Sequence, residues 1–433
     1  PGLVYLGGKF SHAFGKDAVF GDAEQVHNGV HVQEVITART ASASERLLGD
    51  AVMKFLMNKF GVTPLYARID TLVSGSVQSA ADQLTTTVPN GNALIIREEL
   101  WPDPATVDYG VVGDLSEMAS QQTLDHSDLA SMETERVKLV NAASDVLVRA
   151  MERDETIIMF GEDVHKMRGG VSGMTKGVIE TFPDRILPMP IAENGFTGVA
   201  LGAALNGLRP VAEIMFGDFC FTAADQIAHG AGKVRHMFGG DFPVPVVLRV
   251  RTAPHTGYGS QHSCDPSALF GLFPGWRIFS PTNAFDYIGM MNAALNCNDP
   301  VAIIEHVGLY QHATAVPKGN RDFCIPFSTA HRVREGSTCT VLATSVMVGK
   351  SMDAAKETGV DAEIIDLRNL DHHGIDWDMI EASVRKTGRV ILAEETTSGL
   401  SLSGRWAAEI QERFFDMLDF EIIRVTGGLA APT

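Results

Sequence analysis

"IAENGFTGVALGAALNGLRPVAEI", Ile191–Ile214, is the stretch whose reading decides the fold. It reads as a strand end, one carboxylate, a helix of small and apolar residues, a Gly-Leu-Arg-Pro turn and a second apolar strand. A helix so poor in large polar groups is expected to be buried. Glu193 stands at its mouth, where the helix dipole favours a carboxylate. A carboxylate placed there is either a cap or a reagent, and its neighbours must decide which.

Working outward, the alternation of apolar strand and helix continues. Thr156–Phe160, Val211–Met215, Val244–Val250, Ile278-Phe279 and Ala302–Ile304 read as strands. Helical periodicity runs through Val140, Ala143, Leu147, Ala150 and Met151, and a further helix is expected near Ala223–Arg235. Strands that are nearly all apolar and alternate with helices imply a parallel sheet covered on both faces. Residues 330–433 repeat the pattern, with strands at Cys339–Ala343, Ala362–Asp366, Val390–Ala393 and Glu421–Val425. Residues 1–104 form a smaller mixed region, and the polar stretch 105–134 reads as a linker. The expected architecture is α/β: a smaller α+β region at residues 1–104, a linker at 105–134, a parallel-sheet α/β domain at 135–316 and a second at 317–433.

Bulk composition narrows the function. The chain has 433 residues, is 45% hydrophobic and carries a net charge of −18 with only 35 Lys and Arg. That balance argues against nucleic acid or an anionic membrane as partner. No apolar run approaches the roughly 18 residues of a spanning helix, and no secretory signal opens the chain. Five scattered cysteines without a CxxC read as free thiols in a reducing, cytoplasmic compartment. The start at Pro1 suggests part of a longer polypeptide.

Polar groups are expected at strand ends, where open α/β sheets bind ligands. They are Glu162, Glu193, Asp218 and the loop His255-Thr-Gly-Tyr-Gly-Ser-Gln-His262-Ser, whose histidines suit acid–base work near neutrality. Singly, each has an ordinary structural explanation. Together they fall in a specific order: Gly161-Glu-Asp-Val, Gly169-Gly-Val-Ser-Gly-Met-Thr-Lys-Gly, Ile191-Ala-Glu-Asn-Gly-Phe, Gly207-Leu-Arg-Pro-Val-Ala-Glu, Ala224-Asp-Gln-Ile and Gln261-His-Ser. Over residues 137–427 this order resembles the β subunit of the thiamine-diphosphate-dependent 2-oxo acid dehydrogenases, built of two transketolase-like α/β domains.

The resemblance makes Glu193 a reagent. It implies that this carboxyl shares a proton with N1′ of the cofactor's aminopyrimidine. That promotes the imino tautomer, which takes the proton from thiazolium C2, and the cofactor then serves as electron sink. An apolar pocket would raise the Glu193 pKa and suit proton sharing. The resemblance further implies that Phe219 stacks on the aminopyrimidine and that Met215 lines the same pocket. It makes Glu162 an acid of a polar tunnel between active sites, and His262 a residue facing the substrate and an incoming lipoyl arm. Carbonyls around Val246, Ala294, Cys297 and Asp299 correspond to a potassium site. The family holds the diphosphate and Mg²⁺ through a Gly-Asp-Gly motif on an α subunit, and no Gly-Asp-Gly occurs in this chain. The implied partners are therefore an α-type subunit, a second β-type chain and a lipoyl or other acyl carrier.

Residues 3–104 resemble the C-terminal part of ATP-grasp ligases. Lys16 follows "FSHA", Arg68 and Asp70 sit in the strand "PLYARIDTLV", and Glu98 and Glu99 in "NALIIREEL". These residues would bind ATP and Mg²⁺, although adjacent Glu98 and Glu99 point to opposite faces of a strand. Two readings compete: a thiamine-dependent enzyme subunit, and a non-catalytic scaffold or ligase fusion. Intact Glu193, Phe219 and His262 favour the enzyme.

Overall fold

A computed structural model describes residues 110–166, 169–170 and 172–428. The ATP-grasp-like region, with Lys16, Arg68, Asp70, Glu98 and Glu99, lies outside the described residues.

Strand β1 (Thr134–Lys138) leads into helix α1 (Leu139–Arg153). The expected apolar face of α1 is buried through Val140, Ala143, Leu147, Ala150 and Met151. There follow β2 (Ile157–Glu162), β3 (Ile186–Met189), α2 (Glu193–Leu205), β4 (Arg209–Ile214), a π-helical turn at Gln226–Ala231 and α3 (Gly232–Met237). Then come β5 (Val247–Thr252), β6 (Arg277–Phe279), α4 (Ala284–Asn296) and β7 (Val301–His306). The six strands form one sheet in the order β3-β2-β4-β5-β7-β6, parallel throughout. After β2 the chain first moves outward to β3, then crosses back to β4 on the other side of β2. That reversal opens a crevice at the carboxyl ends of β2 and β4, where such sheets bind ligands.

Strand β8 (Ala313–Pro317) returns to pair antiparallel with β1. The second sheet holds β9 (His331–Arg334), β10 (Cys339–Ala343), β11 (Ala362–Asp366), β12 (Val390–Thr397) and β13 (Ile423–Gly427) in the order β13-β12-β10-β11-β9, with β9 antiparallel. It is covered by α5 (Val346–Thr358), α6 (Trp377–Thr387) and α7 (Ser403–Phe414). The two sheets share a core in which Phe270, Trp276 and Ile278 meet Leu342, Ile365, Trp406 and Ile410. Backbone bonds stitch the junction: Ser280 N–H donates to Arg368 O at 2.9 Å and Leu370 N–H to Ile278 O at 2.9 Å.

Two expectations need correction. From Gly110 onward the polar stretch is a strap bound to the first domain, not a free linker. Gly113 N–H donates to Asp299 at 2.9 Å, Asn298 N–H to Glu117 at 2.8 Å, and Cys324 N–H to Gln122 O at 2.8 Å. Its polar side chains satisfy backbone groups at the domain edge, a use that composition alone does not distinguish from solvation. Helix α2 is buried on only one face, through Glu193, Phe196, Thr197, Ala200, Leu201 and Ala204. Its other face, with Gly195, Val199 and Leu205, is exposed in the single chain. The five cysteines are free, four of them buried.

Candidate active site

The crevice gathers carboxylates from two elements. Glu162 ends β2, and Glu193 opens α2 with 7% of its surface exposed. Thr222 Oγ1 donates to Glu193 Oε2 at 3.2 Å. Glu162 Oε1 is buried and meets no donor among the described residues. Burial first, then the charge of Glu193 and a hydrogen bond to it, push the Glu162 carboxyl up to about 7. Two carboxylates this close disfavour ionising together, which makes Glu162 the harder of the two charges to form.

Met215 and Phe219 follow β4, on the turn that carries the expected Asp218. The Phe219 ring meets the His262 ring edge-on at 5.4 Å, and Phe216 meets His262 at 4.9 Å. Asp218 accepts from Cys264 N–H at 2.9 Å, which ties the His262 loop to this turn. The approach is close enough that a Cβ on Gly217 would lie 2.3 Å from Cys264 O. Glu162, Glu193, Met215, Phe219 and His262 are thus set around one crevice by three strand ends and one loop.

The expected potassium residues lie at the opposite edge of the sheet, where β4, β5 and β7 begin. Val246 O accepts from Val301 N–H at 2.9 Å. Cys297 O accepts from Arg209 Nη1 at 2.9 Å, and Leu295 O from the same nitrogen at 3.1 Å. Asp299 is bound by Arg277 Nε at 2.8 Å, and Ala294 is buried in α4. Of the expected carbonyls, that of Cys297 meets the Arg209 guanidinium.

Sequence reasoning missed Thr222, Phe216 and Arg251. Arg251 is 4% exposed; its Nε donates to Met215 O at 2.7 Å, and its Cζ lies 4.6 Å over the Phe216 ring. The signal was the pair of arginines in the otherwise apolar strand Val-Leu-Arg249-Val-Arg251.

This fold and crevice define the aminopyrimidine half of a thiamine-type site. Residues 135–312 match the transketolase pyrimidine binding domain, and residues 328–432 the transketolase C-terminal domain. The chain is 35% identical over 289 residues to the acetoin:2,6-dichlorophenolindophenol oxidoreductase subunit beta of Cupriavidus necator, 64% of this chain and 84% of that one. It is 36% identical over 309 residues to the 2-oxoisovalerate dehydrogenase subunit beta of Pseudomonas aeruginosa, covering 67% and 86%. The pyruvate dehydrogenase E1 component subunit beta of Rickettsia conorii is 34% identical over 296 residues, covering 67% and 89%. A solved split-gene transketolase, an inactive beta4 tetramer, shares the fold at TM-score 0.55 and 22% identity, over 68% of this chain and 91% of that one. The chain belongs to the β-subunit family of the thiamine-diphosphate-dependent 2-oxo acid dehydrogenases.

Proposed function

We propose that this chain completes its active site only with an α-type partner, which supplies the diphosphate and Mg²⁺ half. The assembled enzyme decarboxylates a 2-oxo acid, or cleaves a related ketone, and passes the acyl group to a lipoyl or other carrier. The observation that carries this reading is the pair Glu162–Glu193, with one undonated buried oxygen in the crevice. When bound, thiamine diphosphate supplies the electron sink. Glu193 holds a proton at N1′, Thr222 keeps the Glu193 carboxyl oriented, and Glu162 stores the proton that the pair shares. Phe219 provides the stacking face and Met215 the adjoining wall. His262, on the loop above, orients or protonates the substrate oxygen. The open face of α2, with Val199 and Leu205, receives a second β-type chain, which would bring two Glu162 residues toward a common tunnel. For residues 1–104 we retain a partial ATP-grasp-like assignment; titration of the full chain with ATP and Mg²⁺ should show no micromolar binding.

The test is exchange of the cofactor C2 proton, followed by NMR in the complex with its copurifying partner. Wild type should exchange rapidly and Glu193→Gln should not. Equal rates would remove Glu193 from the role.

A further inference from the structure

Arg251 is a buried cation with capacity to spare. Arg249, two residues earlier and therefore on the same face of β5, is saturated. Its Nη1 meets Glu213 at 3.0 Å, and its Nε meets Glu305 at 2.8 Å. Arg251 makes no such pair among the described residues. Beyond Met215 O and the Phe216 face, it donates through Nη1 to Ser172 Oγ, and its buried Nη2 has no partner among the described residues. A buried guanidinium without a carboxylate is costly and calls for an anion.

The room for that anion is beside it. An open cavity of about 480 Å³ is lined by Ser172, Thr256, Tyr258, Val307, Gly308, Tyr310 and Gln311. Arg251 reaches it through Ser172, and its charge is felt by Tyr310. Tyr258 and His262 both pack on the Phe216 ring, at 5.3 and 4.9 Å, and Arg251 stacks on that same ring. The cavity thus lies one aromatic ring away from the reacting crevice. Four hydroxyls and the Gln311 amide line it beside one aliphatic side chain, Val307, so its walls offer more hydrogen-bonding groups than aliphatic ones.

We propose that Arg251, with Ser172, Thr256 and Tyr258, selects substrates that carry a distal anion, a phosphate or a second carboxylate, on a hydroxyl-bearing tail. The proposal rests on the thiamine-site reading above and names the substrate class for that site. A guanidinium offers such an anion paired donors, and the hydroxyls complete its shell. The bond from Arg251 to Met215 O links tail recognition to the wall of the cofactor pocket.

The test compares kcat/KM in the assembled complex for pyruvate and 3-methyl-2-oxobutanoate (neutral tails), 2-oxoglutarate (carboxylate tail) and a ketose 5-phosphate (phosphate tail). The wild type should favour one anionic tail over both neutral ones by about tenfold or more, the worth of one charge-assisted hydrogen bond. Arg251→Met should cut that preference by roughly tenfold to a hundredfold. Arg251→Lys should restore part of it, and Ser172→Ala, a milder change, should lower it several-fold. Independently of turnover, inorganic phosphate or succinate should raise the melting temperature of wild type and not of Arg251→Met. Equal losses for all substrates, a wild-type preference for neutral tails, or loss of partner assembly in the Ser172 and Arg251 variants would overturn the proposal. Absent C2 exchange in wild type would instead overturn the thiamine reading, and the thermal arm would still report on Arg251.

Discussion

Glu162 and Glu193 meet at the mouth of the β2–β4 crevice with no donor between them, and Glu162 is held at about 7. On the proposed reading, this pair would supply the proton shared with the cofactor. Glu193→Gln keeps the shape of the pair but cannot accept that proton. It should lower turnover by about 10²–10⁴-fold, the usual span for a lost acid–base group. Steady-state rates of the complex with its partner check this, and a loss under tenfold would make Glu193 a cap after all.

The same pair fixes a pH dependence. A carboxyl whose folded pKa lies above its ordinary value stabilises the fold when neutral, and that stability is lost as pH rises from about 4.5 through about 7. In a dry site the shift would be worth about 3 kcal/mol; partial exposure of Glu162 reduces it to about 1 kcal/mol. Glu162→Gln should thus gain on wild type as pH goes from 5 to 8. Denaturant midpoints at the two pH values measure it, and an unchanged difference would contradict the stored proton.

The crevice was legible in the sequence because its chemistry sits in contiguous motifs at strand ends. Glu193 opens a helix of small residues, Phe219 and His262 each stand close to a glycine, and the strands between them are mostly apolar. What escaped depends on long-range placement. β3 (Ile186–Met189) is short and carries a proline, so its apolar signal is weak. The strap at 110–133 exchanges hydrogen bonds with the domain edge, Glu117 accepting from Asn298 N–H and Gly113 N–H donating to Asp299, and polarity alone reads as linker. The exposed half of α2 escaped because small apolar residues look alike whether a core or a second chain covers them.

The turn behind Phe219 depends on one close approach. Gly217 faces Cys264 O so tightly that any side chain must displace the loop carrying His262. Gly217→Ala should lower kcat/KM by about tenfold or more, since small misplacements of catalytic groups are expensive, while the melting temperature falls by only a few degrees. Wild-type kinetics in this variant would mean that His262 is not held by the turn.

The domain junction makes a second, structural pH prediction. Asp286, fully buried, accepts from Arg368 Nη2 at 2.7 Å and pairs with His126 at 3.0 Å, while His126 stacks on His331 at 4.2 Å. Burial and then the charges of His126 and Arg368 hold His331 down at about 4. Its contribution is present above about 6.5 and lost as pH falls toward 4. Burial and the charge of Asp286 push Asp366 up to about 7, so its contribution is lost as pH rises to that value. The two slopes, each at most about 1.4 kcal/mol per pH unit, oppose one another between pH 4 and 6.5. Asp366→Asn should unmask a stability that rises with pH across this window. Removing one partner of the buried pair, as in Arg368→Met, should cost about 3–5 kcal/mol. Denaturation curves at several pH values read both, and a flat profile for Asp366→Asn would show that the slopes do not compensate.

The last prediction concerns the cofactor itself. On the proposed reading, this chain would offer the aminopyrimidine of thiamine diphosphate the Phe219 face and the Glu193 carboxyl. Among the described residues no cluster of three His, Cys, Asp or Glu side chains is placed to hold a metal ion. Tight capture of a diphosphate calls for a divalent cation on hard oxygen ligands and for helix N–H groups around the phosphates. Aromatic stacking adds about 0.5–1.5 kcal/mol beyond area burial, and a hydrogen bond with a charged partner at most about 3 kcal/mol. Their sum, about 4 kcal/mol, corresponds to a millimolar constant. Calorimetric titration of the purified chain with cofactor and Mg²⁺ should therefore fail to saturate below about 1 mM. Adding the copurifying partner should tighten binding by about two orders of magnitude or more, since each tenfold needs only about 1.4 kcal/mol and a metal-bridged diphosphate supplies several such contacts. Stoichiometric micromolar binding by this chain alone would show that it carries a diphosphate site of its own, and the shared-site reading would fall.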